Sequence, residues 1–254
     1  MIVMDGLSKH FGPVRAVDGL TLAVDKGEVL GFLGPNGAGK STTLKMLTGL
    51  LKPTEGTAVV AGHDILQQSI EVKRRIGVVP ENLNLYERLT ANEYLELVGR
   101  LRGLDAKTIT ARRSQLLETL DLADRSDNAS VDYSHGMKKK LAMAGALMHR
   151  PEILFLDEPF EGVDAVSSRV VKDLLRQMVD RRGVTVFFST HIMELVERMA
   201  DIVAVINKGN LVATGSLAAL RQQAATDGDA SLEDVFLELV NAELAEQDMS
   251  WLTS

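Results

Sequence analysis

The stretch "GPNGAGKST", Gly34 to Thr42, decides how the rest of this chain is read. It fits the pattern G-x-x-x-x-G-K-[S/T] and sits between an apolar run, "EVLGF", and a segment with Leu44, Leu47 and Leu51 at helical spacing. Glycines at 34, 37 and 39 let the run through Pro35, Asn36 and Ala38 curl so that its N–H groups converge on an anion. Lys40 then reaches the outer phosphates of a nucleoside triphosphate, Ser41 offers a hydroxyl to Mg²⁺, and Thr42 closes the motif. The expectation is a strand, a phosphate-binding loop and a helix in immediate succession.

Outward from this loop, "MIVMDGL" and "GLTLAV" read as strands before it, and "TAVVAG" and "RRIGVVP" as strands after it. Strand signals then vanish from Asn84 to Met148, where amphipathic helical segments follow one another. They return with "EILFLDEP", "VTVFFSTH" and a hairpin, "DIVAVINKGNLVATG", turning at Asn207 to Asn210. The pattern predicts an α/β core spanning residues 1–220, interrupted by a mostly helical insert at about 81–150. The turn "TDGD" separates a helical tail, residues 221–254. There Ser231 and Asp234 are placed for a capping box ahead of one apolar face, Leu232, Val235, Phe236, Leu239 and Val240.

Composition narrows the function classes. With no cysteine, disulfides and thiolate metal sites are excluded. A net charge of -7 argues against bulk attraction to nucleic acid or anionic lipid. No apolar run approaches the roughly 18 residues that cross a bilayer, and the first residues lack the apolar centre of a signal peptide. Membrane contact is therefore expected only through a partner.

The run "EILFLDEPF" delivers Asp157 and Glu158 at the end of a buried strand. Two adjacent carboxylates beside a triphosphate repel it unless a cation intervenes, which makes Asp157 a Mg²⁺ ligand and Glu158 the group that orients or deprotonates water. His191 ends "VTVFFSTH", where open α/β sheets place ligand-binding residues, and its imidazole suits a γ-phosphate oxygen. In "YSHGMKKKLAMAGALM" three lysines stand near the positive end of a helix, an arrangement that asks for a nearby anion.

The succession of phosphate loop, helical insert, Ser-x-Gly turn, "LFLDEP", "GVD" and "STH" resembles the ATP-binding subunits of ABC (ATP-binding cassette) transporters, from Ile2 to about Leu220. The resemblance implies a RecA-like P-loop NTPase core with an antiparallel β subdomain. It implies ATP as substrate with Mg²⁺, Phe11 stacked on adenine, and catalysis by Glu158, His191 and Lys40. Ser134 and Gly136 of "YSHGM" match the signature turn that closes on ATP bound to a second protomer, and Gly162 and Asp164 match the dimer-seam loop. The implied partners are that second protomer, identical or not, and a separate transmembrane permease, with the chain peripheral on the cytoplasmic side of the membrane. Tyr86 and its neighbours are candidates for permease contact.

Four positions depart from the family's usual residues: Glu81 for a glutamine at the ATP site, His135 and Met137 within the signature turn, and Glu161 for a serine. "VVPE", "YSHGM" and "SLEDVF" together resemble the subclass linked to drug, sodium and polyketide efflux. A soluble ABC ATPase acting on ribosomes or chromosomes is the alternative, weighed down by the lack of a second phosphate loop or sustained heptads. A small P-loop kinase would need an acceptor site in place of "YSHGM" and "STH".

Overall fold

The computed structural model describes residues 1–223 and 232–241. β1 (Ile2–Phe11) and β2 (Val14–Val24) pair antiparallel across a turn whose Gly12 has φ +57°, and β3 (Val29–Leu33) follows. α1 (Lys40–Leu47) opens directly off the phosphate loop. Then come β4 (Glu55–Val60), β5 (His63–Asp64), α2 (Ser69–Arg75) and β6 (Ile76–Val79). Three helices succeed one another, α3 (Ala91–Leu101), α4 (Ala106–Thr119) and α5 (His135–Leu147). After them run β7 (Ile153–Asp157), α6 (Ala165–Arg182), β8 (Thr185–Thr190), α7 (Met193–Met199), β9 (Ile202–Asn207), β10 (Asn210–Gly215), α8 (Leu217–Gln223) and α9 (Leu232–Asn241).

The strands form two sheets. A four-stranded antiparallel sheet has the order β2-β1-β4-β5, and a six-stranded sheet has the order β10-β9-β3-β8-β7-β6. Within the larger sheet β9, β3, β8, β7 and β6 are parallel, and β10 adds an antiparallel edge. Parallel strands covered on both faces need apolar side chains throughout, and "VLGFL" and "ILFLD" are buried at every position.

Alternation along β3 separates two cores. Val29 and Leu33 pack with helical residues such as Leu95, Leu141 and Val196, while Leu30 and Phe32 face the antiparallel sheet and α1. Beneath the phosphate loop, Phe187 lies between Phe32 and Phe155, with ring centroids 5.2 and 5.6 Å away. Each such burial contributes roughly 1.5–3 kcal/mol. Gly31 lets α7 approach closely, because a Cβ there would come within 2.9 Å of Val196 Cγ1.

Local chemistry sets the helix ends. Thr90 and Glu93 form a reciprocal capping box at the start of α3, with bonds of 3.1 and 2.9 Å. The structure corrects two expectations. Leu51 lies beyond α1, since Gly49 at φ +67° terminates the helix, helped by the Thr48 hydroxyl bonding back to the Leu44 carbonyl. Arg74 and Arg75 belong to the last turn of α2, where cations suit the helix dipole, and the strand begins only at Ile76. Leu232, Val235 and Phe236 of α9 are buried in the helix-side core; the capping box expected at Ser231 lies outside the described residues.

Candidate nucleotide site

Parallel register brings the chemistry together. Leu33 of β3 pairs with Thr190 of β8, and Asp157 of β7 with Ser189. The residues that follow these three strands therefore emerge side by side at the carboxyl edge, where open α/β sheets bind ligands. Gly37 and Gly39 hold φ +80° and +108°. A side chain at Gly39 would strike the Ala16 carbonyl, and one at Gly34 the Ile206 carbonyl. The Gly34 N–H donates to the Thr190 carbonyl (3.3 Å) and the Ala38 N–H to Pro35 (3.1 Å), so these two do not point at an anion as expected. The first N–H groups of α1, which have no carbonyl partner within a helix, remain for that purpose. A distant turn braces the loop: Gly209 N–H donates to the Ala38 carbonyl (3.0 Å), while its own carbonyl accepts from Asp18 N–H (2.9 Å).

Lys40 is 6% exposed and donates to the carbonyls of Gly34 (2.8 Å) and Pro35 (3.2 Å). Its third neighbour is Glu158 Oε1 at 3.3 Å, also buried. His191 Nδ1 meets the same oxygen at 3.1 Å. A carboxylate only accepts, so Nδ1 carries the proton in this contact. Glu158 Oε2 is buried and unpartnered. The Glu158 backbone has φ +45°, a region costing about 1–3 kcal/mol for a non-glycine residue. Its N–H donates to the Ser189 carbonyl (3.1 Å) and lies 3.3 Å from the Ser189 hydroxyl, and its carbonyl accepts from the Lys139 ammonium. The Ser189 hydroxyl donates to Asp157 Oδ1.

Around this centre, Ala16, Asn36, Gly37, Gly39, Ser41, Thr42, Glu81 and Glu161 complete a cleft of about 270 Å³ with Lys40 and Glu158. The Ser41 hydroxyl and Asp157 carboxylate are hard oxygen donors of the kind Mg²⁺ prefers. Among the described residues no cluster of three or more acids, histidines or cysteines forms a cage. The donor set fits an ion that completes its oxygens from phosphate and water.

Phe11 stands apart, half-exposed at the β1–β2 turn, with the Lys9 ammonium 5.2 Å from its ring centroid. Ser134, Gly136, Gly162 and Asp164 form a second group. Exposed Ser134 caps α5, accepting from Met137 N–H at 3.2 Å. A Cβ at Gly136 would lie 3.1 Å from Asp164 Oδ2, and one at Gly162 would lie 3.0 Å from the His135 ring. Asp164 caps α6 through the Ser167 N–H (2.9 Å), which holds its carboxyl below the usual range. The three lysines part ways. Lys138 pairs with Glu87 at the surface (2.8 Å), whereas Lys139 and Lys140 are buried, Lys140 against the Asp121 carbonyl at 3.2 Å. Sequence reasoning missed Glu161 as a wall of the cleft, the Ser189 hydroxyl on Asp157, and Lys139. Only the strand register could have shown the second.

A glycine loop between a buried parallel strand and a helix, with a lysine–glutamate pair across its mouth, defines a P-loop nucleoside triphosphatase. Residues 17–161 match the family described as ABC transporter, and this chain belongs to that family. It is 41% identical over 228 residues to the daunorubicin resistance ATP-binding protein DrrA3 of Streptomyces coeruleorubidus, covering 90% of this chain and 71% of that protein. A solved ATP-binding subunit of an ABC transporter superposes with TM-score 0.87 at 30% identity, over 94% of this chain and 99% of its own. A dimeric bacterial ABC transporter cassette superposes with TM-score 0.79 at 25% identity, over 85% and 99%. The chain is thus an ATP-binding, ATP-hydrolysing subunit, of a kind that dimerises and works with a membrane permease. No described helix is long and apolar enough to cross a membrane.

Proposed function

We propose that this chain drives export through a separately encoded permease by Mg²⁺-dependent hydrolysis of ATP, with Glu158 as general base. The buried, unpartnered Oε2 of Glu158, in a cleft shared with the phosphate loop, carries the reading. ATP lies with its phosphates on the loop from Gly34 to Thr42 and its adenine against Phe11. A triphosphate is a stronger anion than one carboxylate, so Lys40 turns from Glu158 to the phosphates and releases the base. Glu158 then takes a proton from a water that attacks the γ-phosphorus as the bond to the β-phosphate breaks. His191, released in the same way, turns to the γ-phosphate. Ser41 and Asp157 hold Mg²⁺, which supplies charge neutralisation along the triphosphate when bound.

Ser134 and Gly136 at the start of α5 close the second protomer's site, with Gly162 and Asp164 at the seam. What supports this division is that exposed Ser134, Gly162 and Asp164, with buried Gly136 against Asp164, do not line their own chain's cleft. The partners are a second copy or a related ATPase chain, and a polytopic permease on whose cytoplasmic face the chain sits. Export follows the similarity to the daunorubicin resistance protein.

Glu158→Gln tests the chemistry. Turnover falls about 10²- to 10⁴-fold while ATP still binds, and the variant runs as a dimer with Mg-ATP in light scattering. Wild-type turnover in that variant would remove Glu158 from its role. Copurification of a stoichiometric polytopic protein from gently solubilised membranes tests the transport assignment; recovery of ribosomes or nucleic acid instead would overturn it.

A further inference from the structure

Lys139 is only 4% exposed, five residues after the exposed cap of α5. Burial lowers its pKa, and the nearby carboxylates of Glu161, Glu158, Glu81 and Asp157 act in the opposite direction. Its Nζ donates to a main-chain carbonyl, that of Glu158. That carbonyl belongs to the non-glycine residue at φ +45°, in the left-handed region where a side chain needs support from its surroundings. On the N–H side of the same residue the support comes from Ser189 of β8. On the carbonyl side it comes from Lys139 of α5, together with the Glu161 N–H of the same loop at 3.3 Å.

We infer that Lys139 is a positioning residue for the general base: it clamps the Glu158 peptide and fixes the aim of the carboxylate relative to the phosphate loop. The inference rests on Glu158 being the base. Lys139 reaches Glu158 through the main-chain carbonyl and does not line the nucleotide cleft, so its removal misplaces the carboxylate without removing a phosphate contact. Misplacement of a reacting group by about 1 Å costs up to roughly 10²-fold in rate. Lys139 and Ser134 also share one helix, which ties the aim of this base to the end of α5 that faces the second protomer.

The test is steady-state ATP hydrolysis by the purified full chain carrying Lys139→Met, alone and combined with Glu158→Gln. Binding of a fluorescent ATP analogue is measured in parallel. The expected result for Lys139→Met is a kcat lowered about 10- to 100-fold with KM and analogue affinity within about threefold. In the Glu158→Gln background the same change is expected to add nothing, because it acts through the carboxylate already removed. An unchanged kcat, a loss confined to KM, or an equal further loss in the Glu158→Gln background would overturn the assignment. Lys139→Gln carries the same expectations if the methionine variant does not fold, since its amide stops short of the Glu158 carbonyl. Full hydrolysis by Glu158→Gln alone would sink the base itself, a failure distinct from that of Lys139.

Discussion

The carboxyl ends of β3, β7 and β8 and the beginning of α5 both present groups suited to phosphate, but they are held by different means. At the strand ends, paired backbone register sets the positions, and Lys40, Asp157 and Glu158 are all buried. At α5 a single exposed serine caps the helix, and a loop from Gly162 to Asp164 leans on it. The first draws its lysine and carboxylates from one chain. The second holds an exposed serine whose hydroxyl already accepts from Met137 N–H, and under the function proposed above it meets its phosphate on another protomer. Binding and turnover should therefore separate genetically between the two regions.

The sharpest break is expected from Lys40→Ala, which strips the loop of its cation and leaves buried Glu158 facing the loop carbonyls. ATP affinity should drop roughly a hundredfold or more, as expected for losing charge-assisted bonds worth about 1.5–3 kcal/mol each. Equilibrium dialysis with labelled ATP checks it, and retained affinity would mean that the loop backbone suffices. Next comes Ser134→Asp, which keeps a good helix cap but adds a negative charge where the second protomer's γ-phosphate is to dock. Turnover should fall about tenfold or more, with thermal stability and single-chain ATP affinity unchanged. Equal loss of binding and turnover would place Ser134 in its own chain's site and erase the contrast.

The smallest effect concerns the joint between the two regions. His149, just past α5, has Nε2 2.9 Å from the Ile76 carbonyl of β6, while its Nδ1 is buried without a partner. Burial, aided by Arg102, pushes its pKa down to about 4. The folded state thus favours the neutral ring, whereas the unfolded ring takes a proton near pH 6.5. Its contribution to stability is complete above pH 6.5 and is lost as pH falls towards 4. His149→Gln should flatten the dependence of the urea midpoint on pH across that window; an unaltered slope would assign the acid sensitivity elsewhere.

Much of this was legible in the residues because each motif is short, contiguous and bounded by a strand. "EVLGF" before the loop, "ILFLDEP" and "VTVFFSTH" announce their strands and the polar residues at their ends without reference to one another. What escaped depends on distant partners. α2 buries only Val72, too little to mark an apolar face. A lysine reads as surface until the fold is known, and Lys139 and Lys140 are buried only because residues 158 and 121 fold over their ammonium groups. The Glu161 wall of the cleft depends likewise on how the loop after β7 returns towards α1.

The brace from Gly209 to Ala38 gives the nucleotide site a place in time. Although the phosphate loop is made early, the peptide that clamps it leaves the ribosome about 170 residues later. Until then the nascent loop lacks both this clamp and the parallel neighbours of β3, since β8 and β9 also come late. A half-made chain therefore lacks the contacts that brace its phosphate loop, and a ligand that binds only the completed site stabilises the finished sheet.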